Sequence, residues 1–70
     1  MDVTLGEIVD STAGRDSGKR FLVIGIVDDK HVLLADGSSR RIEKPKKKKL
    51  KHMKSAGIVV QSINEKLKNG

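Results

Sequence analysis

The chain has 70 residues, no cysteine, a single aromatic residue and a formal net charge of +6. One small domain is the limit at that length, burying about 60% of the surface its unfolded chain exposes. No disulfide can staple it and no thiolate can hold a metal. No apolar run approaches the roughly 18 residues of a membrane span, and the acidic start MDVTLGEIVD lacks the basic-then-apolar plan of a signal peptide. The expectation is a soluble, cytoplasmic protein with no membrane contact, monomeric when free.

The first half reads as β. Residues 7–12 (EIVDST) form a short strand, and residues 12–18 (TAGRDSG) a polar loop with two glycines. Residues 19–28 (KRFLVIGIVD) are the strongest strand, dense in Val, Ile, Leu and Phe. Strict alternation puts Phe21, Val23 and Val27 on one face, with Gly25 between them, and Leu22, Ile24 and Ile26 on the other. With both faces apolar, two coverings are needed: the interior of a small curled barrel and a second element outside it. Asp28-Asp29-Lys30 reads as a tight connection, residues 31–35 (HVLLA) as a third strand, Asp36-Gly37 as a hairpin turn and residues 39–42 (SRRI) as a fourth strand.

Basic charge is then concentrated. Residues 1–43 carry six basic and eight acidic side chains, whereas residues 44–54 carry seven lysines and no acid. Pro45 restricts Lys44 to extended conformations and removes a ladder donor. The expected form of residues 44–54 is therefore an extended tail, mobile when unbound and anchored by Leu50 and Met53. Residues 56–68 read as a helix, because Val59, Ile63 and Leu67 recur four apart. Ser55 is its expected N-cap, and its apolar stripe is expected to cover the outer face of the long strand. The expected organisation is a β domain over 1–43, a basic extended segment over 44–54 and a helix within 55–70 packed on or near the β domain.

The loop Gly14-Arg15-Asp16-Ser17-Gly18-Lys19-Arg20 superficially suggests a P-loop. A P-loop has four residues between its glycines and Ser or Thr after its lysine. Here three residues intervene, Arg20 follows Lys19, and the loop enters a strand rather than a helix. Nucleotide hydrolysis is thereby disfavoured.

Gly6, Ile8-Val9, the run from Gly14 to Lys19 and the apolar strand through Val23 resemble the KOW motif of ribosomal proteins and transcription elongation factors. The continuation VIGIVDDKHVLLADG and the run RRIEKPKKKK resemble ribosomal large-subunit proteins of the fourteen-e type and their short bacterial relatives. The likeness covers about residues 3–54. It implies a small SH3-like β-barrel that binds RNA, usually ribosomal RNA, through the first loop and nearby basic residues. Carried over, the loop contacts are Gly14, Arg15, Asp16, Ser17, Gly18, Lys19 and Arg20. Fourteen-e proteins continue in longer helical extensions, whereas this chain stops at Gly70.

The residues support polyanion binding on their own terms. Glycines at 14 and 18 let the backbone turn sharply, and exposed amides there can form an anion-binding concavity. Arg15 can fork onto a phosphate or stack on a base. The plainer alternative is a tight turn in which Asp16 pairs with Arg15 or Lys19. Lys44, Lys46, Lys47, Lys48, Lys49, Lys51 and Lys54 would hold phosphates as point charges that read no sequence. A solvated tail and a nuclear-localisation run fit the same composition. His52 lies within the run, and of Arg40 and Arg41, which face opposite ways on a strand, one can join the basic surface. Phe21, the only aromatic, belongs to the core, so no platform for stacking bases is available.

No catalytic set, metal site or cofactor is expected. Asp28-Asp29 is ordinary turn chemistry, and His31 and His52 lack metal-ligand spacing. The reading is an RNA-binding, ribosomal or ribosome-associated protein that contacts structured ribosomal RNA, with ribosomal proteins as further partners. The alternative is a KOW module that docks a protein in a transcription or translation factor.

Overall fold

The computed structural model describes residues 3–36 and 44–68. Five strands form one antiparallel sheet: β1 (Glu7–Ser11), β2 (Arg20–Ile26), β3 (His31–Ala35), β4 (Lys46–Lys49) and β5 (Met53–Val59). Their order in the sheet is β4-β3-β2-β1-β5. Single 3-10 turns occupy Gly14–Asp16, in the β1–β2 loop, and Leu50–His52, between β4 and β5. A short helix, α1 (Gln61–Lys68), ends the described chain. The fold is thus mainly β with a C-terminal helix. The sheet is open, its ladder ending at β4 on one side and β5 on the other.

The core lies on the inner face, where Val9, Phe21, Val23, Val32, Leu34, Leu50 and Met53 pack together. Register explains the choice. Val9 pairs with Phe21 and Val23 with Leu34 across neighbouring strands, so these β-branched and aromatic side chains share one face. Leu50 and Met53 do anchor the segment that follows Pro45.

Two bulges shape the sheet and correct the alternation expected for β2. Between Val23 and Gly25 the pairing with β3 slips, leaving Ile24 as an extra residue. Gly25 then pairs with Leu33, and a Cβ at Gly25 would stand 3.0 Å from the Leu33 side chain. It is therefore on the outer face, not on the inner face between Val23 and Val27. Val27 lies beyond the strand, its amide donating to the His31 carbonyl, and like Ile26 it is exposed. The second bulge is in β5: Ile8 pairs with Ile58 but Val9 with Ser55, so Ala56 and Gly57 are looped out, Gly57 at a φ of 75°.

The basic segment is not a tail. Lys46 to Lys49 pair with Leu34 to His31 as β4, and residues 53–59 pair with β1 as β5. Lysine is a poor strand former, but the free edge of β3 offers ladder partners as soon as the chain leaves Pro45. The helix correspondingly starts at Gln61, not in the 56 region. Ser55 is a strand residue whose Oγ accepts the Gly57 amide rather than capping a helix. The expected strand over 39–42 lies outside the described residues.

The helix does not cover the outer face of β2. Its first turn sits on the Leu5-Gly6 turn: the Val60 amide donates to the Gly6 carbonyl at 2.9 Å, and Asn64 Nδ2 donates to the Leu5 carbonyl at 2.6 Å. Asn64 is buried, while Ile63 and Leu67 are half-buried. Gly6, at a φ of 85°, permits this approach, since a Cβ there would stand 2.9 Å from the Asn64 amide nitrogen. None of the helices among the described residues is long and apolar enough to cross a membrane.

Candidate nucleic-acid interface

The β1–β2 loop is built by its own backbone. Gly18 donates to the Ser11 carbonyl at 2.8 Å, Lys19 to the Asp16 carbonyl at 2.8 Å and Ser17 to the Gly14 carbonyl at 3.2 Å. Gly14 and Gly18 have φ of 74° and 86°, the left-handed region that such a turn requires. These bonds narrow one expectation: the amides of Ser17, Gly18 and Lys19 are spent on carbonyls of the loop and of β1 and are not open to an anion. What the loop presents outward is side chains. Arg15 and Lys19 are exposed, as are the backbones of Gly14 and Gly18.

Asp16 explains how the loop is held. Its carboxylate accepts from Lys46 Nζ, with Lys48 Nζ at 3.5 Å and Lys19 Nζ at 3.8 Å. Lys48 Nζ also donates to Ser11 Oγ at 2.7 Å and to the Ala13 carbonyl. The Lys48 and Asp16 side chains are only 11% and 14% exposed. The hydrogen bond from Lys46 lowers the Asp16 pKa below its ordinary 3.8 against the opposing effect of burial, and the charges of Lys46, Lys48 and Lys19 add to it. Lys46 and Lys48 thus fasten the glycine loop to β4 through one carboxylate, and Lys19 adds a contact within the loop.

Strand alternation divides the lysine run. Lys46 and Lys48 pair with Leu34 and Val32, which face the core, and turn toward Asp16. Lys47 and Lys49 pair with Leu33 and His31 and are exposed on the other face. The run is therefore two pairs with different surroundings, not one stripe. Lys44, Lys51 and Lys54 are exposed and His52 half-buried, its carbonyl accepting the Thr12 amide. Arg20 is exposed but engaged: its Nε donates to Asp10 at 3.0 Å, which raises the guanidinium pKa. Arg40 and Arg41 lie outside the described residues.

Sequence reading missed Ser11 and the Ala13 carbonyl as partners of Lys48, and Asp10 as the partner of Arg20. Only the last had a local signal, since side chains directly opposite on the adjacent strands of a hairpin, as Asp10 and Arg20 are, often pair charges. Among the described residues no group of three or more His, Cys, Asp or Glu side chains could hold a metal ion.

No protein-family model matches the chain. A curated relative does: the chain is 33% identical over 51 residues to the large ribosomal subunit protein eL14 of Desulfurococcus amylolyticus. The chain is eL14-like. The aligned part is 73% of this chain and 53% of the relative, so the chain spans about half the length of the protein it matches. The eL14 likeness takes in most of the present fold, and thus more than an isolated loop motif.

Proposed function

We propose that the protein is an RNA-binding ribosomal protein that contacts structured ribosomal RNA of the large subunit, on the cytoplasmic ribosome. In this reading the open sheet is an SH3-like, KOW-type barrel, in which the Leu50–His52 turn links the two edge strands. The observation that carries the reading is the fastening of the glycine loop to a lysine strand through Asp16. It sets Arg15 and Lys19 in a fixed loop beside a strand whose outward lysines, Lys47 and Lys49, are unencumbered by that cluster. Such a surface recognises backbone charge and shape, because lysine and arginine neutralise phosphates while no aromatic side chain stacks on bases. The eL14 likeness supports the same partner.

Co-sedimentation with separated ribosomal subunits across a salt series tests the proposal. Retention on the large subunit at high salt is expected. Loss from both subunits at moderate salt would leave only generic attraction and refute a specific seat.

One observation favours a second reading. Ile26, Val27, Ile58 and Val59 are large apolar side chains left 53%, 46%, 47% and 36% exposed. A KOW module that docks a protein would draw on exposed apolar side chains of this kind. Competition separates the two: if bulk homopolymer displaces the protein as well as a folded ribosomal RNA fragment does, docking is the better account.

A further inference from the structure

A second basic feature lies away from the glycine loop. The turn after β2 meets the 3-10 turn after β4, pinned by the Leu50 amide donating to the Lys30 carbonyl at 2.8 Å. Between them opens a cleft of about 550 Å³ lined by Asp29, Lys30, His31, Lys49, Leu50 and Lys51. That volume lies within the roughly 300–1,000 Å³ of small-ligand clefts. Leu50 is a buried wall; Asp29, Lys30, Lys49 and Lys51 are exposed.

The charges around this cleft have distinct states. Asp28, just outside it, is already committed: its Oδ1 accepts the Lys30 amide at 2.8 Å and His31 Nδ1 at 2.9 Å. Those bonds, the Lys30 amide first, hold its pKa below 3.8. The cleft itself offers three ammonium groups and one carboxylate, that of Asp29. For a bare anion Asp29 is a repulsive neighbour. For a ligand that carries a phosphate and, a few ångströms away, a hydroxyl donor, it is an acceptor in the right company.

We propose that this cleft seats one ribonucleotide unit of a bound RNA, its phosphate among Lys30, Lys49 and Lys51 and its 2′-hydroxyl donating to Asp29. The inference rests on the RNA-binding reading and extends it to a second contact point, at the end of β4 where Lys49 and Leu50 meet the turn after β2. It also supplies a means of telling RNA from DNA, which phosphate contacts alone do not provide.

The test uses the full chain, with backbone amide NMR shifts followed during titration with inorganic phosphate, a short RNA hairpin and the DNA hairpin of the same sequence. The RNA is expected to shift the amides of residues 29–31 and 49–51. Lys30→Gln should lower the log–log salt slope by about 0.7–0.9. Asp29→Ala should reduce the RNA-over-DNA preference by about 2- to 10-fold, the worth of one hydrogen bond. Shifts confined to the glycine loop and Lys47 would overturn the cleft while leaving RNA binding intact. No RNA-dependent shift anywhere would overturn both. Saturation by inorganic phosphate at RNA-like concentrations would make the cleft a free-anion site. An Asp29→Ala protein that binds RNA and DNA more tightly by the same factor would remove the ribose contact.

Discussion

Replacing Gly6 with Ala should destabilise the fold more than the same change at Gly14, and the difference measures how closely the helix approaches. Both glycines have positive φ, 85° and 74°. An L-residue in that region costs about 1–2 kcal/mol, and the smaller gain from a stiffer unfolded chain, about 0.4–1 kcal/mol, applies to both. These contributions cancel in the comparison. The surroundings do not cancel. A Cβ at Gly14 meets nothing within 4 Å, whereas at Gly6 it meets the Asn64 amide nitrogen at 2.9 Å and the Val60 carbonyl oxygen at 3.0 Å. Those atoms are backbone of α1 and its entry, so the helix must move as a body. Overpacking of this kind costs about 1–3 kcal/mol. The movement also endangers the Asn64 Nδ2 bond to Leu5. Gly6→Ala should therefore lose about 2–4 kcal/mol in urea unfolding, against about 1 kcal/mol for Gly14→Ala. In a domain this small each kcal/mol lowers Tm by about 4–8 °C. Because both act through helix docking, Gly6→Ala and Asn64→Ala should be non-additive in a double-mutant cycle. Equal losses at Gly6 and Gly14, or additivity with Asn64→Ala, would refute the close approach as the reason for glycine.

Other consequences follow from the division of the lysine strand. Lys47→Gln with Lys49→Gln should leave Tm nearly unchanged and lower the RNA salt slope by about 1.4–1.8, two contacts' worth. Lys46→Gln with Lys48→Gln should instead lower Tm and broaden the amide signals of residues 12–19, because it removes the β4 partners of Asp16; equivalent behaviour of the two pairs in both assays would contradict the alternation. Asp16→Asn bears on acid stability. The folded pKa lies below the unfolded value near 3.8, so the unfolded state binds more protons and the contribution is present above 3.8. It is lost as pH falls through the lower folded value. Stability of Asp16→Asn should thus change less steeply than wild type between about pH 5 and about pH 2, and parallel acid-unfolding curves would show that the cluster does not hold the loop. In the core, Leu34→Ala should cost about 2–5 kcal/mol by equilibrium denaturation, since Leu34 is fully buried.

Much of the first half was legible because its signals are local. The β-branched and aromatic density of Phe21 to Ile26 marks a strand, Asp28 accepting the Lys30 amide closes a turn of the expected kind, and His31–Ala35 has the bounds read from sequence. The glycine loop was legible as a loop, but its free amides were not foreseeable as spent, because their acceptors depend on how the turn closes. The C-terminal periodicity misled at its start. Val59 repeats with Ile63 and Leu67 at helical spacing, yet it pairs with Glu7 in β5, where an open edge of β1 offers a full ladder. Two turns of helix are marginal in isolation, so the sheet edge prevails over propensity there.

By itself, the sequence determined that a small, cysteine-free, β-rich domain would carry its basic charge in one segment, and that Leu50 and Met53 would tie that segment to the core. Only the tertiary structure decided what each lysine does. Four consecutive lysines are alike in sequence, but a strand's alternation sends Lys46 and Lys48 to the distant carboxylate of Asp16 and leaves Lys47 and Lys49 outward. The helix likewise finds its seat through Asn64 and Leu5, 59 residues apart. Periodicity and turn chemistry act over a few residues; strand partners and charge compensation are set by which distant segments the folded chain brings together.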